Sequence, residues 1–201
     1  PFYTIIKKLV EGKDLYLRNL FEVGTGGGST DQKKRAAWEH KIFQSTEYDS
    51  FPPHEKVKYA TLNWAHSREG VRQVSSYKYG KSYLIMNNEV KKRATYSRYD
   101  SSYERVMGPH HLGTNYRMDY IANQFTSQEK RLMDFYKPNP KGNPGMHDIK
   151  DYMEVQIHGE LLFSRDVVKI MLSRHLNNEE VLGLLGQYFD IIGKKIPFEF
   201  I

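Results

Sequence analysis

The densest run of chemically capable side chains is Tyr152-Met153-Glu154-Val155-Gln156-Ile157-His158-Gly159-Glu160. On an extended strand successive side chains alternate, so Glu154, Gln156 and His158 share one face while Met153, Val155 and Ile157 share the other. Three adjacent polar groups on one face need partners or a cavity. The pattern fits either a ligand site or the wet side of a half-buried antiparallel sheet.

Other chemistries fare worse. The chain has no cysteine, which removes thiolate nucleophiles, disulfides and zinc-thiolate centres. His110 and His111 are adjacent, so on an extended chain they face opposite ways; no HExxH spacing links them to His147 or His158, and no metal is expected. Ser97, Asp100 and Ser101 carry hydroxyl and carboxylate groups, but no GxSxG elbow is present for a serine hydrolase. The Gly26-Gly27-Gly28 run has neither the GxxxxGK[ST] nor the GxGxxG spacing of the common nucleotide cradles. Glu154 and Glu160 would lie roughly 20 Å apart on an extended chain at about 3.3 Å per residue, too far for a glycosidase pair. A single strand carboxylate, helped by an Arg and a Ser from other strands, fits substitution at the ribose carbon of NAD. There the carboxylate stabilises an oxocarbenium-like transition state and the Arg holds the pyrophosphate or ribose.

Several elements must position these groups. Phe2, Ile5, Ile6 and Leu9 follow helical spacing up to Gly12, and residues 15–21 alternate enough for a strand. The glycine cluster at 24–28 permits positive φ and a close backbone approach. Ser29, Thr30 and Asp31 are N-cap candidates for a helix burying Ala37, Trp38 and Ile42. Residues 44–58, with Pro52-Pro53, read as a surface loop. Strands are expected at 59–64, 82–86 and 94–99, with Asn87-Asn88 as a turn between the last two. Helices are expected at 116–124 and 128–135, and a Pro/Gly/Asn loop at 137–148. A strand at 152–157, helices at 166–176 and after the Asn178 cap to 192, and a strand at 196–201 complete the order. No repeat or long linker divides the chain, so residues 1–201 read as one α+β domain with a mainly antiparallel sheet.

The 201 residues suffice for a core without staples, and no apolar run approaches the roughly 18–20 residues of a membrane span. The opening PFYTIIKKLVEG is too short and charged for a signal-peptide core. The net charge of +6 is uneven: residues 151–201 hold five Lys/Arg and eight Asp/Glu, and residues 1–150 hold 25 and 16. A basic face therefore belongs to the first three quarters of the chain. Lys91, Lys92, Arg93, Tyr96, Arg98 and Tyr99 could serve a nucleic-acid module, which is kept as the alternative from a different class. The lack of cysteine suits a reducing compartment such as the cytosol, or a protein that crosses between compartments unfolded.

The strings FEVGTGGGST, KKRAAWEHKIF, KVKYATLN, YGKSYLIMNNEVKKRATYSRYDSS and YMEVQIHGELLFSRDV occur in order over most of residues 15–172. Together they resemble the CteC-like family of bacterial effector ADP-ribosyltransferases, which modify threonine of ubiquitin. The resemblance implies an ADP-ribosyltransferase-like split β-sheet core with flanking helices, NAD as cosubstrate without a metal, and ubiquitin as protein acceptor. It places Glu154 at the catalytic position. Arg18 is the first choice for the NAD-holding arginine and Arg35 the second. Phe21, Thr25 and Gly26 would wall the nicotinamide, with Asn63, Ser97, Asp100 and Ser101 completing the cofactor set. Tyr152, Gln156 and His158 would orient the acceptor. Toxins of this kind commonly carry Gln or Glu where Tyr152 stands, a departure that counts against an arginine acceptor and is compatible with a hydroxyl acceptor. A glycohydrolase with the same site and water as acceptor is the other alternative.

Overall fold

A computed structural model describes residues 2–24, 31–64, 66–71, 80–102, 108–128, 130–131 and 152–201. The helix α1 (Phe2–Gly12) forms where the apolar spacing demands it, with Ile6 and Leu9 buried. Residues 15–21 are not a strand: Tyr16 makes one isolated bridge to Leu162, and the short helix α2 (Leu20–Val23) follows. The reason is local. The Asn19 side chain accepts from Phe21 N and Glu22 N, and Glu22 reaches back to Asn19 N, closing a capping box that turns the chain into a helix.

The next helix, α3 (Gln32–Phe43), starts on Asp31 as expected, whose carboxylate accepts from Lys33 N and Lys34 N. Its buried face differs from the expected one: Ile42 is buried and Trp38 half-buried, but Ala37 is exposed and Glu39 takes the inner position. The stretch 44–58 also holds more order than a loop, with α4 (Thr46–Ser50) capped by Ser45 and a 3-10 turn at Pro53–Glu55.

Two sheets make the centre of the fold. The first has the order β1 (Lys58–Thr61), β5 (Glu154–Ile157), β3 (Ala94–Ser97), β4 (Leu112–Thr114), all antiparallel. The second has the order β2 (Tyr83–Met86), β6 (Val167–Leu172), β7 (Phe198–Phe200), with β6 antiparallel to β2 and parallel to β7. Asn87 caps a 3-10 helix, Asn88–Arg93, between β2 and β3 where a simple turn was expected. The helix α5 (Met118–Ala122) is shorter than expected. The helix expected at 128–135 and the loop at 137–148 lie wholly or mostly outside the described residues.

The largest correction concerns 166–176. Helix α6 (Phe163–Asp166) ends there, and Val167–Leu172 is the central strand of the second sheet, followed by a 3-10 turn at Arg174–Leu176. The run VVKIML is rich in β-branched residues, and a central strand gains from burial between two neighbours, so local apolar spacing that read as helical lost to sheet packing.

The core lies on the apolar side of both sheets. Ala94, Tyr96, Val155 and Ile157 meet Val167, Ile170 and Leu172, with Ile6 and Leu9 from α1 and Val181, Leu185, Tyr188 and Phe189 from α7 (Glu179–Ile192). Phe163 and Tyr188 pack edge to face at 5.0 Å, and the Tyr188 hydroxyl reaches Asp14 O at 2.8 Å. The α7 helix starts at Asn178, whose side chain accepts from Val181 N at 3.0 Å, and ends at Gly193 in the left-handed region. Replacing Asn178 by Ala removes that cap and is expected to lower stability by about 1 kcal/mol; urea denaturation checks it, and no change would count against the cap. No described helix is long and apolar enough to cross a membrane.

Candidate functional site

The strand register decides which side chains meet. Glu154 lies opposite Thr61 of β1 and Ser97 of β3, and Gln156 opposite Tyr59 and Thr95. Opposed residues in an antiparallel pair share a face, so these six line one polar surface whose reverse is core. The fold therefore brings the candidate residues Glu154, Gln156 and Ser97 together, with Thr95 beside them.

The groups are wired in one direction. Thr95 Oγ1 donates to Gln156 Oε1 at 3.0 Å, and Gln156 Nε2 donates to Ser97 Oγ at 3.1 Å and to Glu154 Oε1 at 2.8 Å. Ser97 Oγ in turn donates to Tyr99 O at 2.8 Å. Ser101 adds two donors to the same Glu154 oxygen, its hydroxyl and its N–H, the latter at 3.3 Å. Among the described residues, every hydrogen bond to Glu154 ends on Oε1.

Glu154 does not lie on a wet sheet face: it is 6 % exposed, because Ser101 folds back across it and α3 packs on the same surface. Burial pushes its pKa up to about 7, and the charge of Asp100 adds to the rise, while the bonds from Ser101 and Gln156 oppose it. Asp100 is half-buried, with Oδ2 accepting from the Tyr152 hydroxyl at 2.8 Å and Oδ1 from Ser102 N at 2.9 Å.

Helix α3 supplies a second set that sequence reasoning missed, apart from Arg35. Trp38 Nε1 donates to Ser101 O at 2.9 Å, tying the helix to the turn over Glu154. Glu39, 1 % exposed, accepts from the Tyr48 hydroxyl at 2.5 Å and the Tyr59 hydroxyl at 3.2 Å. Burial raises its pKa against the opposing pull of those bonds and of Arg35. The Arg35 guanidinium lies over the rings of Trp38 at 4.8 Å and Tyr59 at 4.5 Å, and its Nε is buried without a hydrogen-bond partner. One signal was available: Glu39 stands four residues after Arg35 and three before Ile42, on the same helical stripe.

Arg18, the first choice, is not with this group. Its guanidinium pairs with the Asp14 carboxylate at the surface, because residue 18 precedes a helix instead of ending a strand. Phe21 lies in α2, its ring 5.4 Å from Lys56 Nζ. Asn63 closes a turn, donating to Ser67 O at 2.7 Å and accepting from Ser67 N at 3.0 Å. Thr25 and Gly26 lie outside the described residues. His158 shares the face of Glu154 but belongs to the other end of the strand. Its Nε2 is 3.1 Å from Thr95 Oγ1, burial and Arg93 lower its pKa, and it lines an open cavity of about 480 Å³ with His54, Glu55, Arg93, Glu160 and Arg165. Among the described residues no cluster of three or more His, Asp or Glu could hold a metal ion.

A titratable carboxylate held on one oxygen, a serine-bearing partner strand and an arginine over aromatic rings define a polar centre on the outer face of an α+β fold. The family model described as Protein of unknown function (DUF3626) matches residues 2–128, and the chain belongs to that family. The matched part carries Arg35, Glu39, Tyr59, Ser97, Asp100 and Ser101; Glu154 lies beyond it. No curated protein matches the chain.

Proposed function

We propose that this chain is a mono-ADP-ribosyltransferase that transfers ADP-ribose from NAD to a protein hydroxyl, with threonine of ubiquitin as the acceptor. The observation that carries the reading is the one-sided grip on Glu154: three donors fix Oε1, so Oε2 is the oxygen left for a ligand. A carboxylate fixed in this way is pre-oriented to stabilise positive charge developing at the ribose carbon. Ser97, directly opposite on β3, supports it through Gln156. The donor set also fits NAD, since Arg35, held over the Trp38 and Tyr59 rings, offers a cation for the pyrophosphate. Arg35 therefore replaces Arg18 as the NAD-holding arginine, and the two-sheet centre accords with the split core that the sequence resemblance implied. NAD would supply the activated C–N bond; the chain's residues bind and orient it.

Two measurements test this. NAD at a hundredfold above Kd is expected to stabilise the protein by about 2.7 kcal/mol, saturably, in thermal melts. Labelled NAD and ubiquitin are expected to give labelled ubiquitin with release of nicotinamide. No stabilisation and no release would overturn the reading; full-rate release that needs no acceptor would convert it to a glycohydrolase. Binding of oligonucleotides that weakens steeply with salt, without any NAD effect, would favour the nucleic-acid alternative.

A further inference from the structure

We propose that the open cavity at the far end of β5 is a binding site for a phosphorylated sugar, with Arg93 and Arg165 on the phosphate and Glu55 and Glu160 on the sugar hydroxyls. The assignment goes beyond the transferase reading and does not rest on it. Glu154 and His158 are four residues apart, about 13 Å along an extended strand, and Gln156 between them is fully buried. The cavity, about 480 Å³, therefore opens apart from Glu154 and has the size that takes a small molecule.

Its wall comes from the 3-10 turn at Pro53–Glu55, from Arg93 at the end of the 3-10 helix before β3, and from residues 158–165 after β5. These parts are stitched together through main-chain oxygens. Lys58 Nζ donates to His54 O and Gly159 O, Gly159 N to Glu55 O, and His158 N to Arg93 O. Arg93 Nη1 donates to His158 O, Arg165 Nη2 to Glu160 O, and Asn87 Nδ2 to Arg165 O. Every carbonyl of the lining residues thus already accepts a bond, and what the fixed wall still offers is donors. The Asp166 carboxylate, 2 % exposed, holds both guanidiniums, with Arg93 Nη2 at 2.8 Å, Arg165 Nη2 at 2.8 Å and Arg165 Nε at 2.9 Å. Each guanidinium has five N–H groups; among the described residues Arg93 keeps three of them and Arg165 two without a partner. Two arginines against one buried carboxylate also leave a positive charge in the wall.

N–H groups in planar forks beside an excess of positive charge suit the oxygens of a phosphate. The acceptors of the cavity are of another kind. Glu55 and Glu160 are exposed acids on the same cavity, and Glu55 lies 3.7 Å from His54 Nε2. Carboxylates oppose a bare phosphate, but they accept from hydroxyls. A molecule that carries hydroxyls next to a phosphate satisfies both halves of the lining, and a sugar phosphate is that molecule.

The test is calorimetric titration of the whole chain at low ionic strength with ribose 5-phosphate, inorganic phosphate and ribose. Ribose 5-phosphate is expected to bind at one site, about tenfold more tightly than inorganic phosphate, with ribose below detection. Arg165→Ala is expected to weaken ribose 5-phosphate about tenfold. Replacing Glu55 and Glu160 together by Ala is expected to bring ribose 5-phosphate down to the affinity of inorganic phosphate; these side chains are exposed, so this variant carries the test if Arg165→Ala fails to fold. No binding of ribose 5-phosphate, or binding that neither variant changes, would overturn the site. Equal affinity of wild type for inorganic phosphate and ribose 5-phosphate would overturn the role of the two acids, and displacement of ribose 5-phosphate by NAD would overturn the assignment of a separate site. The transferase reading stands or falls on nicotinamide release, which none of these titrations measures.

Discussion

Glu154→Gln is expected to slow ADP-ribose transfer to ubiquitin by roughly 10²–10³-fold, about 3–4 kcal/mol of transition-state stabilisation. The substitution is informative because of where the hydrogen bonds fall. A glutamine in that place keeps a carbonyl oxygen to accept from Ser101 and from Gln156, so the polar layer between β3 and β5 keeps its connections. What disappears is the negative charge. On the transferase proposal nicotinamide release should fall together with transfer, because both would pass through the same cationic carbon, whereas the NAD concentration for half-maximal thermal stabilisation should move much less. Single-turnover kinetics with saturating NAD reads this directly. A transfer rate within threefold of wild type would remove Glu154 from the reaction and leave it a buried structural acid.

The second large effect is on stability against pH. The Glu154 carboxyl titrates near 7 in the folded chain and from its ordinary value of 4.5 in the unfolded one. Below 4.5 it is protonated in both states and adds no pH dependence. Between 4.5 and 7 the folded state holds the proton that the unfolded state has released, so stability falls as pH rises across this window and levels off above it. The loss amounts to about 3 kcal/mol at 1.36 kcal/mol per pKa unit. Glu39, raised by burial, slopes the same way, while Asp166, held low by Arg165 and Arg93, contributes stability that is lost only in stronger acid. The comparison with Glu154→Gln isolates one group. Urea denaturation at pH 4.5, 6 and 8 should show wild-type stability dropping relative to the variant by about 3 kcal/mol; a constant difference would mean that Glu154 ionises freely in the fold.

Much of this centre could be read before any coordinates. Alternation in the stretch from Tyr152 to His158 put Glu154 and Gln156 on one face, and β-branched and hydroxyl residues marked the strand with Thr95 and Ser97 that lies beside them. Local signals also located α1, the Asp31 start of α3 and the Asn178 start of α7. What stayed hidden depends on contacts between distant residues. Ser101 is 53 positions from Glu154, and nothing local says that its hydroxyl closes over that carboxylate. Glu39 on α3 reads as a solvent residue until Tyr48 and Tyr59 supply partners that make its burial tolerable. Arg18 looked better placed than Arg35 only while residues 15–21 were taken for a strand; the Asn19 capping box removes that premise. The helix expected at 166–176 failed because a central strand gains its stability from two neighbours, β2 and β7, that spacing in one segment does not register.

The one-way wiring of the polar layer has a dynamic side. Thr95 gives to Gln156, and Gln156 and Ser101 give to a single oxygen of Glu154, so no donor has to turn when a proton arrives at or leaves the other oxygen. A flipped Gln156 amide would set its oxygen against the Glu154 carboxylate oxygen, two acceptors face to face, which locks the amide in one orientation. The centre can therefore gain or shed a full charge while its scaffold stands still, and none of the electrostatic work of that change is spent on rearranging the groups that hold it.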